Sequence, residues 1–184
     1  MSSSGMTAFV DGPAYTPVAR MLHWITVVLV LGMLPAGFIM SRYDVGDAIY
    51  NAHKSVGPLI LFITLIRLAY RLTHPPKPLP ADMMVLEKAV AHATHWGLYA
   101  LLIAQPIVGW IATSAYPAPV PFFGLFNLPA IWPADKAMSE FMYVWHFRLG
   151  ILLSLMICAH IAGALFHYFV HKDRILQRMT SATG

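Results

Sequence analysis

The chain has 184 residues, of which 58% are hydrophobic and only 11% are charged. Soluble domains carry about 25% charged residues, so this composition excludes an ordinary water-soluble surface and favours lipid as the main solvent. The net charge of +4 comes without a basic run of the kind that binds nucleic acid, and the one cysteine, Cys158, excludes an intramolecular disulfide.

Residues 1–20 are small and polar, and they lack the basic start and apolar stretch of a cleavable signal. Four long apolar segments follow, and each has at least the ~20 residues with which a helix crosses the hydrocarbon core of a bilayer. They lie at 21–40, 53–72, 93–114 and 142–169. The predicted fold is therefore an all-α membrane protein, a four-transmembrane-helix bundle.

The connections are short to moderate. A polar link spans 41–52, and a proline-rich link spans 73–91. Residues 115–141 contain five prolines and several aromatic residues, and this mixture predicts a cap at the membrane interface, where aromatic side chains favour the headgroup level. No second domain is indicated. We divide the chain into a segment 1–20, a single membrane domain 21–171 and a tail 172–184.

Lysine and arginine are unevenly distributed between the two predicted sides of the membrane. Eight lie on the side of the termini and four on the other side. Because cytoplasmic loops are enriched in these residues, both termini are predicted to be cytoplasmic. The first side has Arg20, Arg67, Arg71, Lys77, Lys88, Lys172, Arg174 and Arg178; the other has Arg42, Lys54, Lys136 and Arg148.

The predicted helices carry histidines at matching depths. His146 and His160 are 14 residues apart, which brings them to nearly the same face of one helix, about 21 Å apart along its axis. Because successive helices run in opposite directions, His53 is expected at the depth of His146. By the same argument, His23 is expected at the depth of His160. The spacing predicts two stacked sites, each with two imidazoles from different helices.

The chemistry of two imidazoles favours haem over zinc. A structural zinc site needs four protein ligands, whereas haem supplies four nitrogens itself and needs only two axial ligands. Gly57 and Gly150 each follow a histidine by four residues, which leaves room beside it for a flat macrocycle. Because no C-x-x-C-H motif occurs, covalent attachment is excluded and we predict two non-covalent haem b groups. The predicted axial ligands are His23 and His160 for the inner iron, and His53 and His146 for the outer iron.

Arg67 and Arg71 lie on about the same face as His53, but at the inner depth. They are predicted to pair with the propionates of the inner haem. The alternative is that both side chains extend to the interface and anchor the helix end.

The remaining histidines are less informative. His92 and His95, three residues apart, are expected to form a surface or propionate-binding pair. His167, seven residues after His160, competes as a ligand but lies about 10 Å further along the helix. His74 and His171 are expected to be solvated.

Several segments together are similar to the bacterial cytochrome b561 family over about residues 15–179. They are RMLHW, NAHKSVG, LIRLAYR, HATHWGLYALLIAQPIVGW, WHFRLG and HIAGALFHYFVHKD. The resemblance implies a small di-haem protein of four membrane helices. It also implies that the axial ligands are His23, His53, His146 and His160. One type within this family is a superoxide oxidase, which passes electrons from periplasmic superoxide to ubiquinone.

We therefore predict a b-type cytochrome that transfers single electrons from a periplasmic donor, such as superoxide, to membrane ubiquinone. Lys54 and Arg148, next to the outer histidines, are expected to attract an anionic donor. The quinone site is not located, and its candidates are His92, His95 and His167. Two alternatives remain: a haem-bearing membrane anchor subunit of a dehydrogenase, or a histidine-lined metal-ion transporter. The transporter is disfavoured because the spans carry almost no carboxylates.

Overall fold

The computed structural model describes residues 15–76, 78–80 and 83–180. Lys77, most of the predicted segment 1–20 and the last residues of the predicted tail lie outside this part. The elements in chain order are helix α1 (Pro17–Met40), α2 (Gly46–Thr73), α3 (Val85–Ala115), strand β1 (Val120–Phe122), β2 (Phe126–Leu128), α4 (Lys136–Phe166), a π-helix that continues α4 (His167–His171), and the short α5 (Gln177–Thr180).

The prediction of four membrane helices is confirmed, since each of α1 to α4 is long and apolar enough to cross a bilayer. All four helices begin earlier than predicted, and for α1 and α4 the start is set by a capping side chain rather than by the first apolar residue. Asp135 accepts a hydrogen bond from the Met138 amide at 3.0 Å before α4, and Thr16 accepts one from the Ala19 amide at 3.3 Å before α1. Pro35, Pro58 and Pro106 all lie inside helices that continue through them.

Successive helices of the bundle run in opposite directions, so each end of the bundle collects different helix termini. We call the end where α1 begins and α4 finishes the terminal end, and the opposite end, which carries the two strands, the cap end. An apolar cluster between them takes residues from all four helices: Val30, Ile60, Leu101, Leu102 and Leu153. Val30, Ile60 and Leu153 each lie seven residues from a histidine of their own helix. The cluster therefore separates two histidine levels.

Helix packing is uneven around the bundle. α3 and α4 pack closely along their lengths, as do α1 and α2, and α2 and α3. By contrast, α4 makes few contacts with α1 and does not pack closely against α2 in the described part of the chain. We refer to this weakly packed region between α4 and the α1–α2 pair as the α4 interface.

Residues 116–135, within the segment 115–141 predicted as an interfacial cap, lie at the cap end of the bundle and contain a hairpin that the sequence did not indicate. β1 and β2 pair antiparallel, with Val120 opposite Leu128. Gly124 in the turn has a φ of 72°, which glycine adopts without the steric cost of a side chain. The hairpin is fixed to α2 by Ser55, whose hydroxyl lies 2.8 Å from the Pro121 carbonyl and accepts a hydrogen bond from the Phe123 amide at 3.1 Å.

Replacing Ser55 with alanine is expected to release the hairpin from α2, because the Phe123 amide would lose its part-buried hydrogen bond to the Ser55 hydroxyl, a loss of about 0.5–1.5 kcal/mol. Hydrogen exchange of residues 120–128 should therefore become faster. The matched control is Ser154→Ala, since Ser154 bonds only to the Gly150 carbonyl of its own helix. Equal exchange rates in both variants would contradict this anchoring role.

Candidate haem sites

The structure brings together both histidine pairs that the sequence predicts. At the cap end, the ring centroids of His53 on α2 and His146 on α4 are 6.0 Å apart. At the terminal end, those of His23 on α1 and His160 on α4 are 6.5 Å apart. Both pairs span the α4 interface, so the imidazoles face each other where the helices pack least.

These separations suit a metal held between two imidazoles. With metal–nitrogen bonds of about 2 Å and roughly 1 Å more from each nitrogen to its ring centroid, the centroids should lie about 6 Å apart. No group of three or more histidine, cysteine or acidic side chains that could hold a metal occurs among the described residues. An ion that relies on protein ligands alone therefore fits poorly. Haem fits, because it needs only two.

The His146 ring is held in one orientation by α3. Its Nδ1 lies 3.0 Å from the backbone carbonyl of Gln105. Since a carbonyl only accepts, Nδ1 donates and Nε2 keeps the lone pair that a metal requires. The Gln105 side chain donates back to the His146 carbonyl at 2.9 Å. Sequence analysis missed Gln105, because it is on a helix that carries neither histidine of this pair.

Gly109 makes room for the same ring. A Cβ at this position would lie 2.8 Å from His146 Cε1 and 3.0 Å from its Nδ1, which is too close for carbon contacts. Gly57, predicted to leave space for a macrocycle, has no neighbouring atom within 4 Å of a built Cβ. Gly150 differs, because its Cβ position lies 3.4 Å from Gln105 Nε2. It therefore faces the α3 side chain that holds His146.

His53 is held less firmly. Its Nδ1 is buried and has no hydrogen-bond partner among the described residues. A buried polar atom without a partner is costly, and a ligand that occupies the α4 interface would be able to satisfy this ring.

The terminal level is cationic. Arg67 Nη2 lies 2.9 Å from His23 Nδ1, and the Arg67 guanidinium also lies over the Tyr99 ring at 5.4 Å. Arg71 lies 5.8 Å from the ring centroids of both Trp96 and Tyr99. No carboxylate in the described part of the chain pairs with either arginine. Because the Arg67 head contacts His23 inside the bundle, the interface-anchor alternative does not describe it.

Both arginines line a small open cleft at this end. Its walls are polar and aromatic, and Met179 of the tail contributes to them. A half-buried pair of guanidiniums without counter-ions suits an anionic group such as a haem propionate. The lining residues are Tyr15, Ala19, Arg67, Tyr70, Arg71, His74, Pro76, Tyr99 and Met179.

His95 and His92 do not form a surface pair. His92 is exposed and bonds to the Lys88 carbonyl. His95 is half-buried, and its ring centroid lies 5.2 Å from that of His160. The terminal level therefore holds three imidazoles, and the His95–His160 distance is shorter than the ~6 Å expected across a metal.

The other histidines have protein partners. His167 bonds to Asp173 at 2.6 Å. His74 and His171 are exposed, as predicted, but His74 stacks on Tyr70 at 4.2 Å, and His171 contacts Glu87.

Comparison with known proteins agrees with this geometry. The family model for prokaryotic cytochrome b561 matches residues 14–182. The chain belongs to this family. Cytochrome b561 homolog 2 of Escherichia coli is 32% identical over 170 residues, which cover 90% of each chain. A probable superoxide oxidase of Yersinia pestis is 29% identical, covering 86% of this chain and 90% of its own. A cytochrome b562 of Cereibacter sphaeroides is 30% identical, covering 91% and 95%.

The predicted family is thus confirmed. Cytochrome b561 proteins bind b-type haem, so this chain is a membrane haem protein of the electron-transfer class.

Substituting Gly109 with alanine is expected to tilt the His146 ring, because the added methyl group would overlap Cε1 and Nδ1. The purified cytochrome should show a lower haem content and an altered low-spin electron paramagnetic resonance signal. Gly32→Ala is the control, since a Cβ there meets no atom within 4 Å. Unchanged spectra for Gly109→Ala would show that this glycine does not position the ring.

Proposed function

We propose that this cytochrome holds two haem b groups and transfers single electrons from a donor at the cap end to ubiquinone. The proposal is carried by one observation: two imidazole pairs lie at two levels along α4. Their ring centroids are 6.0 Å apart in one pair and 6.5 Å apart in the other. When bound, a haem with two axial imidazoles supplies a one-electron couple without an open coordination position for oxygen.

The proposed ligands follow from the two pairs. His53 and His146 would hold the outer haem, and His23 and His160 the inner one. The ~6 Å criterion favours His23 over His95 as the partner of His160. Gly57 and Gly150 would pack near the outer haem, the latter through Gln105. Arg67 and Arg71 would bind the inner propionates.

The proposed orientation places both termini in the cytoplasm of a bacterial inner membrane. The two ends of the bundle differ in charge. The cap end carries four lysines and arginines and four acidic residues, so its formal charge is zero. The net charge of +4 therefore lies at the terminal end. The cytoplasmic side of membrane proteins is the one enriched in lysine and arginine.

The proposed donor is a small one-electron reductant, with superoxide as the leading candidate. One relative carries the name of a probable superoxide oxidase. Because the cap end is formally neutral as a whole, an anion would be attracted by local charges near His53 and His146. Lys54 is half-buried, with Nζ 3.4 Å from the Pro119 carbonyl, and Arg148 is exposed above the Trp145 ring at 5.5 Å.

The proposed acceptor is ubiquinone, reached at the terminal end. Reduction of ubiquinone by superoxide with the purified protein alone would also exclude the alternative of an anchor subunit, which would need a dehydrogenase partner for turnover.

Single histidine-to-alanine variants are expected to group by level. His53→Ala and His146→Ala should lose the same component of a redox titration, and His23→Ala and His160→Ala the other. His95→Ala should keep both components. The pyridine haemochrome assay measures the haem-to-protein ratio, which should be about two in the unmodified protein. A ratio near one, or a common loss in all variants, would contradict two sites.

Neutralising Lys54 and Arg148 together, as Lys54→Gln and Arg148→Gln, is expected to slow haem reduction by superoxide and to weaken its dependence on salt. Both effects follow because steering by charge is screened by ions. The rate is measured at several ionic strengths. The control pair is Lys136→Gln with Glu140→Gln, which removes an exposed ion pair at the same end without changing net charge. Equal salt slopes in both double variants would exclude steering by these two residues.

A further inference from the structure

Two histidine–carboxylate pairs lie together at the terminal end, outside the proposed ligand set. His171 Nε2 lies 3.3 Å from Glu87 Oε1. His167 Nδ1 lies 2.6 Å from Asp173 Oδ2. The two imidazole rings are 5.1 Å apart, centroid to centroid. We call these four residues the His–carboxylate cluster.

The cluster runs from solvent toward the bundle. The His171 side chain is 39% exposed, whereas that of His167 is 14% exposed. His167 is seven residues from His160 on the same continuous helix, about 10 Å along its axis. The cluster therefore joins the surface to the region beside the terminal histidine level.

The backbone here is specialised as well. α4 ends in one π-helical turn, His167–His171, and such turns occur frequently at functional sites. Lys172 then adopts a left-handed conformation, with φ 53°, and the chain folds back so that Asp173 reaches His167. On α3, Glu87 accepts the Met84 amide at 3.2 Å through its other oxygen, so the carboxylate is fixed in position.

The proposed reaction needs protons at this end. Two superoxide ions give up two electrons and become two molecules of dioxygen. Ubiquinone takes up those two electrons together with two protons and becomes ubiquinol. The donor brings no protons, so both must enter from the aqueous phase on the acceptor side. Histidine is the side chain best suited to exchange protons near neutral pH.

We infer that the His–carboxylate cluster is the proton-uptake site for quinone reduction, with Glu87 and His171 taking protons from water and His167 and Asp173 passing them inward. This inference rests on the proposed function and extends it. Besides Glu87 and Asp173, the charged side chains that this end of α3 and the described chain after the π-helix bring here are Lys88, Lys172, Arg174 and Arg178, and His92 is a further titratable group on α3.

The test follows re-oxidation of the pre-reduced cytochrome by a short-chain ubiquinone in stopped flow, between pH 6 and 8.5. His171→Gln retains a hydrogen-bond donor for Glu87 but cannot carry a proton. We expect it to slow re-oxidation about tenfold or more at pH 8. The loss should be smaller at pH 6, where protons are abundant, and added imidazole should partly restore the rate. Glu87→Gln, which can still cap α3, should behave in the same way.

The matched control is Glu140→Gln, the same substitution near the start of α4 at the opposite end, which should leave re-oxidation unchanged. If His171→Gln and Glu87→Gln match this control at every pH, the inference is overturned. A loss in His171→Gln that is independent of pH and not rescued by imidazole would also overturn it, since that indicates a structural contact only. Failure of the unmodified protein to be re-oxidised by ubiquinone would instead refute the proposed function.

Discussion

The bundle depends on α4 presenting two imidazoles to helices against which it hardly packs. α4 lies along α3, and only Ser139, Gly150 and Leu153 of its residues are buried. His146 and His160 instead face α2 and α1 across the α4 interface. Lipid provides no hydrophobic drive to close such a gap, and polar side chains inside a membrane need partners. A flat cofactor held by one imidazole from each side, as proposed above, would satisfy both constraints at the places where the histidine pairs and the weakest packing coincide.

The two levels are chemically different, and within the proposed function this difference gives electron flow a direction. At the cap level, the groups that hold His146 are the neutral Gln105 and Gly109, while the nearby Lys54 is half-buried with its amine near the Pro119 carbonyl and Arg148 is exposed. The terminal level instead contains Arg67 and Arg71 without carboxylate partners in the described chain. Nearby cations stabilise an added electron, the more so in a low-dielectric interior. The charge distribution therefore favours transfer from the cap level to the terminal level, toward the end where the His–carboxylate cluster lies.

The residues that directly follow His53 and His23 in the sequence contact the cap and the tail, respectively. Ser55 and Lys54, directly after His53, both contact the 119–123 segment, so the cap is attached beside one of the paired histidines. At the other end, Trp24, directly after His23, donates a hydrogen bond to the Met179 carbonyl at 3.1 Å. Met179, in the described part of the predicted tail, is thus attached to α1. Residues adjacent to the paired imidazoles thus hold the cap at one end and the tail at the other.

The sequence by itself determined the four spans and the depth of each histidine, because residue spacing along a helix sets both its face and its height. It also predicted the pairs His53–His146 and His23–His160 from those depths. It could not reveal that Gln105 clamps His146, that His95 joins the terminal level, or that His171 meets Glu87. Only the tertiary structure decided these contacts, because each joins residues from different helices. Which helices pack side by side, and at which rotation, depends on the whole bundle rather than on any local pattern.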